Sequence, residues 1–141
     1  MRGRQGMISA EISVQAQFYD LDPMQIVWHG NYARFLEQAR CALLDKIGYN
    51  YPDMAESGTG WPIVDMRIKY IRSIRFAQTI RVQATLTEYE NRIRIDYRIL
   101  DEATGALLTK ARTDQVAVCA TTGELRFESP AIFIDKVRKL L

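Results

Sequence analysis

Ile80-Arg-Val-Gln-Ala-Thr-Leu-Thr-Glu-Tyr-Glu-Asn-Arg-Ile-Arg-Ile-Asp-Tyr-Arg-Ile99 carries two apolar–polar alternations on either side of Glu90-Asn91. Ile80, Val82, Ala84 and Leu86 alternate with Arg81, Gln83 and Thr85; Ile93, Ile95, Tyr97 and Ile99 alternate with Arg94, Asp96 and Arg98. Side chains along a strand point to alternate faces, so each run is a strand with one buried and one wet side. Glu90-Asn91 reads as a tight hairpin turn and residues 101–105 as the next turn. Upstream, Val64, Met66, Ile68 and Tyr70 alternate with Asp65, Arg67 and Lys69. Downstream, residues 106–120 form a longer, less regular run that predicts a bulge or an interface strand. No helical period separates these four runs, which excludes a parallel βαβ sheet.

The N-terminal part completes the pattern. Residues 8–18 alternate without error, from Ile8 through Ala10, Ile12, Val14 and Ala16 to Phe18. Tyr32, Phe35, Leu36, Ala39, Leu43 and Ile47 recur at spacings of three and four, which predicts one long helix. Asn31 is its expected N-cap, and Gly48 stands where a left-handed glycine ends a helix. Residues 49–60 read as a connector with room for a short helical turn. Ser129-Pro130 opens a final helix with Phe133, Val137 and Leu140 on one face. An antiparallel sheet must cover one face, and one long helix is available to do so. The expected architecture is α+β: a five-stranded antiparallel sheet wrapped around one central helix, with a C-terminal helix. Residues 8–141 are expected to form a single domain and residues 1–7 a disordered lead-in.

Composition narrows the function. The 141 residues are 48% apolar and 26% charged, the balance of a globular domain, with a net charge of +2. So small an excess of basic residues argues against a nucleic-acid binder. A single histidine excludes a His₂ or His₃ metal site within one chain. The two cysteines, Cys41 and Cys119, are far apart and read as reduced thiols of a cytoplasmic protein. No apolar run approaches the roughly 20 residues of a membrane helix, and the N-terminus lacks the apolar stretch of a signal peptide.

The stretch that carries chemistry is Phe18-Tyr-Asp-Leu-Asp-Pro-Met-Gln-Ile-Val-Trp-His-Gly-Asn-Tyr32. It holds two carboxylates and the only histidine, and it runs into a helix N-terminus. Backbone N–H groups at a helix start are unpaired and suit a carbonyl oxygen or an anion. A carboxylate opposite them would act on a carbonyl bound between, which points to acyl transfer or hydrolysis.

This segment, Asp20-x-Asp22-Pro-x-x-Ile-Val-Trp-x-x-Asn31-Tyr32 followed by Arg34-Phe35-Leu36-Glu37-x-Ala-Arg40, resembles the hotdog-fold thioesterases. It is similar to the 4-hydroxybenzoyl-CoA thioesterases and the acyl-CoA thioesterases linked to the Tol-Pal system. The resemblance implies that Asp22 is the catalytic nucleophile or general base and that the backbone N–H near His29 polarises the thioester carbonyl. His29 matches a histidine of the acyl-CoA branch. Gln25 stands where the family usually has glycine, so a different loop conformation is expected, with Gln25 reaching the acyl pocket. Gly30, Asn31, Tyr32 and Arg92 complete the expected substrate contacts. The resemblance further implies an acyl-CoA or acyl-ACP substrate, no metal or other cofactor, and subunits paired edge to edge. Active sites would then be shared in a homodimer that pairs again into a homotetramer.

Structural readings stand beside these. Asp22 before Pro23 suits a turn, and Asp20 a surface or loop-stabilising role. His29 suits a backbone-bonded residue at the helix start, and Trp28 and Tyr32 suit packing. Glu37, between Arg34 and Arg40, reads as an ion pair rather than a helix-borne catalytic glutamate. Arg72, Arg75, Arg92 and Arg94 stand near strand ends, where arginine forks suit phosphate. Two other functions remain open: a thioesterase or dehydratase acting on acyl-ACP, and a non-enzymatic acyl-binding scaffold.

Overall fold

A computed structural model describes residues 7–141, so all but the last residue of the expected lead-in lies outside the described residues. Seven strands and three α-helices follow one another. They are β1 (Ser9–Gln15), α1 (Tyr32–Ile47), α2 (Tyr51–Glu56), β2 (Thr59–Gly60), β3 (Ile63–Tyr70), β4 (Thr79–Glu88), β5 (Ile93–Asp101), β6 (Leu107–Gln115), β7 (Val118–Cys119) and α3 (Ala131–Arg138). Two 3-10 turns, Phe18–Asp20 and His29–Asn31, lie between β1 and α1.

The main sheet has the order β1-β4-β5-β6-β3, antiparallel throughout. The inward residues of the opening hairpin form its centre: Ile80, Val82, Ala84, Leu86, Ile93, Ile95 and Ile99 are fully buried. Helix α1 lies across β1 and β4 and buries Phe35, Leu36, Ala39, Leu43, Leu44 and Ile47 against them. Each Å² of apolar surface removed from water there stabilises the fold by about 25 cal/mol. Gly48 ends α1 at φ 85°, the left-handed position expected of it.

Several expectations need correction. Asn31 does not cap α1: its backbone is already helical, and its side chain donates instead to the Asp20 carbonyl at 2.9 Å. The chain enters the helix through the 3-10 turn, which moves the cap position away from Asn31. The β4–β5 connection is no two-residue turn either. It runs over residues 89–92, because a register shift between Leu86 and Glu88 widens the end of the hairpin. Leu140 lies beyond α3 and is exposed, whereas Phe133 and Val137 are buried.

Strand β3 does not pair with its sequence neighbour β4 but crosses to the far edge, beside β6. The expected alternation of burial is not seen along it: Asp65 and Ile68 are half-buried, whereas Val64, Met66 and Tyr70 are exposed. The irregular run over residues 106–120 does contain a bulge, with Leu108 extra opposite Ile99 and Leu100 of β5; in its pairing with β3 the extra residue is Val64 of β3. Its tail forms β7, which pairs with β2 in a small second sheet.

Candidate active site

The loop between β1 and α1 is built on Asp20. Its buried carboxylate accepts the Gln17 N–H at 2.8 Å, closing the first 3-10 turn. Its carbonyl accepts both the Trp28 N–H and the Asn31 side chain, each at 2.9 Å. Asp20 is therefore loop-stabilising and buried rather than on the surface. Leu21 and Val27 then bridge, making a miniature hairpin whose turn is Asp22-Pro23-Met24-Gln25. The Gln25 N–H closes that turn on the Asp22 carbonyl at 2.9 Å, and the Asp22 N–H reaches Ile26 O at 2.8 Å.

Gln25 sits at φ 64°, in the left-handed region. Glycine enters that region without steric cost, whereas the glutamine β-carbon is strained there.

Asp22 takes the turn role read from the sequence and also lines a cleft. Its Oδ1 accepts the Met24 N–H at 2.8 Å and, more loosely, the Ile26 N–H at 3.5 Å. Its Oδ2 accepts no hydrogen bond from the described chain. The half-buried carboxylate lines a cleft of about 210 Å³ together with His29 and Tyr32. Met24 and Ile26 give the cleft an apolar side, and Tyr70, Arg72 and Ser73 face them from the end of β3.

The cleft meets the start of the second 3-10 turn. The N–H groups of His29 and Gly30 have no partner in the described chain, as expected of the first donors of a helical turn. The His29 carbonyl accepts the Tyr70 hydroxyl at 3.0 Å, and the imidazole lies edge-on to the Tyr70 ring at 6.4 Å. No hydrogen bond or ion pair joins His29 to Asp22. Tyr32 is buried against Tyr70, with ring centroids 4.7 Å apart. Burial, reinforced by the Tyr70 phenol beside it, raises its hydroxyl pKa and keeps it protonated.

Of the expected site residues, Asp22, His29 and Tyr32 come together in the cleft. Gly30 contributes backbone only: a β-carbon there would run into the Trp28 indole. Asn31 ties the helix start to Asp20. Gln25 is exposed on the turn and does not line the cleft. Arg92 lies in the β4–β5 connection, bonded to Glu88 at 3.1 Å. Glu37 pairs with Arg40 at 2.7 Å, the ion pair expected of it. Tyr70 was read only as an apolar strand position. Its place at the last residue of an alternating run was the available signal that it stands at a strand mouth.

A larger hollow, about 620 Å³, lies between β3, β5 and β6 among Arg67, Lys69, Arg98 and Lys110. Its one carboxylate, Asp96, is bonded to Arg112 at 2.8 Å, and the helix-start donors lie elsewhere.

An antiparallel five-stranded sheet with one long helix packed on it and a C-terminal helix is the architecture of the hotdog thioesterases. The chain belongs to the thioesterase-like superfamily, whose family model matches residues 16–138. It is 30% identical over 106 residues to "Putative acyl-CoA thioesterase YneP" of Bacillus subtilis, covering 74% of this chain and 76% of that one. It is 29% identical over 132 residues to "Putative esterase sll0410" of Synechocystis, covering 92% and 79%. The solved DHNA-CoA thioesterase of Staphylococcus aureus superposes with a TM-score of 0.80 at 26% identity, over 95% of this chain and 93% of that one.

Proposed function

We propose that the protein hydrolyses acyl thioesters of coenzyme A, with Asp22 as the reacting carboxylate. The observation that carries this reading is the unpartnered Asp22 Oδ2, held in a cleft beside two unpartnered backbone N–H groups. The thioester carbonyl carbon lies at Oδ2 and its oxygen at the N–H groups of His29 and Gly30, which stabilise the oxyanion as it forms. Either Oδ2 attacks the carbon and water then cleaves the acyl-aspartyl anhydride, or Oδ2 takes a proton from an attacking water. In both routes the C–S bond breaks, the thiolate leaves and is protonated, and the acyl group departs as the free acid. Neither route calls for a metal or redox cofactor.

The exposed apolar side of β3 supports edge-to-edge pairing of two copies, since an unpaired edge with Val64, Met66 and Tyr70 beside it favours a matching strand. The cleft lies at the end of that strand, so pairing would place a partner's residues over it. A second pairing into a tetramer belongs to the same reading. Among the described residues no helix is long and apolar enough to cross a membrane, and both cysteines are free thiols. Both features support a cytoplasmic setting. A dehydratase would use a histidine–carboxylate pair, and the lack of a bond between His29 and Asp22 favours hydrolysis.

The test is hydrolysis of a panel of CoA thioesters by wild type and Asp22→Asn. Loss of about 10²–10⁴-fold in kcat, with the fold intact by circular dichroism, is the expected result. Equal turnover by both proteins, or none by either, would overturn the assignment.

A further inference from the structure

The walls of the catalytic cleft continue past its mouth. Ile71, Arg72 and Ser73, which close the cleft on the β3 side, also form one wall of an adjoining groove of about 760 Å³. Arg75, Gln78, Asp101 and Thr104 line its other walls. A molecule with its reactive carbon at Asp22 would leave the cleft along this groove.

Backbone hydrogen bonds tie the groove to the cleft. The N–H groups of Ile71 and Arg72 both donate to Leu108 O at 3.0 Å, and Val27 N–H donates to Ile74 O at 2.8 Å. Ile26 and Arg75 form a β-bridge, so the turn bearing Asp22 and the loop bearing the arginines are one piece of backbone structure. Arg75 N–H is held by the Gln78 side chain at 2.9 Å. Ala77 at φ 65° marks how tightly the loop is folded back.

Arg92 is bonded to Glu88 at 3.1 Å and Arg94 to Asp114 at 2.7 Å, so each already has its carboxylate. Arg72 and Arg75 are exposed and form no ion pair among the described residues. The one carboxylate of the groove, Asp101, has both oxygens engaged: Oδ1 accepts Gln78 at 2.8 Å, and Oδ2 accepts the backbone N–H and hydroxyl of Thr104 at 2.9 and 2.8 Å. Two free guanidinium forks therefore stand in an open groove that begins at the catalytic cleft. Arginine forks match phosphate geometry and bind it with charge-assisted hydrogen bonds.

We propose that this groove docks the nucleotide phosphates of a coenzyme A thioester, with Arg72 and Arg75 as their ligands and Ser73 at the passage between the two compartments. The proposal rests on the thioesterase reading for its substrate and adds the place where the carrier is held. Arg92 and Arg94 have no part in it.

Binding of free coenzyme A, measured by calorimetry, tests the groove without any turnover. Wild type should bind it with an affinity that falls as salt rises. Arg72→Gln and Arg75→Gln should each weaken it about tenfold, while Arg98→Gln, an equal charge change outside the groove, keeps it. In hydrolysis, KM for the acyl-CoA should rise in both variants about tenfold more than KM for the same acyl group on pantetheine, which lacks phosphate. No binding of coenzyme A by wild type, unchanged affinity in both variants, or equal losses on the two thioesters would overturn the assignment. So would an acyl-ACP thioester losing as much as acyl-CoA, because its one phosphate is esterified to the carrier. Arginine-dependent binding of coenzyme A by a wild type that hydrolyses no thioester would sink the role of Asp22 and sustain the groove.

Discussion

The Tyr70 hydroxyl donates to the His29 carbonyl at 3.0 Å, joining the last residue of β3 to the first residue of the turn that leads into α1. This bond crosses from one wall of the cleft to the other. It holds the His29–Gly30 peptide at a fixed tilt, and the direction of the Gly30 N–H depends on that tilt. Tyr70→Phe keeps the ring packing against Tyr32 and removes only this bond. A loss of about 0.5–1.5 kcal/mol in stability is expected. With thioester substrates, kcat should fall about three- to tenfold while KM changes less, since a transition-state donor is misaimed. Steady-state kinetics with a denaturant titration check both.

Gln25 occupies a left-handed backbone position at roughly 1–2 kcal/mol for a residue with a β-carbon. Glycine removes that strain but gives back about 0.4–1 kcal/mol through the greater freedom of its unfolded chain. Gln25→Gly should therefore leave the protein as stable as wild type or slightly more so. Gln25→Val adds a branched side chain and should lower the melting temperature by about 3 °C or more. Thermal unfolding of the three proteins gives the order directly.

Asp114 is almost fully buried and binds Arg94 through two hydrogen bonds, of 2.7 and 3.2 Å. Burial alone would raise its carboxyl pKa, but the hydrogen bond from Arg94 and the charges of Arg94, Arg92 and Arg112 together outweigh it and hold the pKa below its ordinary 3.8. A depressed folded-state value means that the unfolded chain binds the proton more readily. The pair therefore stabilises fully above about pH 4 and loses its contribution as pH falls through the folded value. Asp114→Asn should cost about 1–3 kcal/mol at pH 7. That difference should shrink on titration toward pH 3, as followed by urea unfolding at each pH.

Cys119 lies at the end of β7, where the hydroxyl of Thr121 is 3.2 Å from its sulfur. Hydrogen bonds from Thr121 and Thr122 lower its thiol pKa to about 6. Alkylation by iodoacetamide should then proceed with a midpoint near pH 6 and outpace Cys41 at neutral pH. Thr121→Val should move the midpoint upward. Mass-spectrometric quantification of each modified cysteine across pH reads both effects.

The periodic elements were legible in the sequence because periodicity reports which side of an element is buried. The alternation from Ile80 to Ile99 located two strands and their inward faces, and the stripe from Tyr32 to Ile47 located the helix. Periodicity does not report pairing partners, so the crossing of β3 to β6 had no signature. Two-residue strands such as Thr59–Gly60 are too short to show a period at all. In the site, residue type pointed to Asp22 and His29, and the motif placed Tyr32 beside them. Asn31 misled because a good capping residue can satisfy a neighbouring carbonyl equally well once a 3-10 turn precedes the helix. The left-handed Gln25 shows the complementary limit: a residue with a β-carbon gives no sign in the sequence of a backbone shape that glycine usually marks.

The bridge between Ile26 and Arg75 has a consequence for the order of folding. The two cleft walls lie about fifty residues apart in the chain, and between them run α1, the connector and β3, which must first reach the far edge of the sheet. Closing so long a loop is entropically unfavourable until strand pairing elsewhere has drawn its ends together. The cleft is thus a late product of folding, without a partial form in a fragment or a collapsed intermediate. Recovery of activity should lag behind recovery of sheet, and the Val27 amide should exchange its hydrogen only when the whole molecule opens.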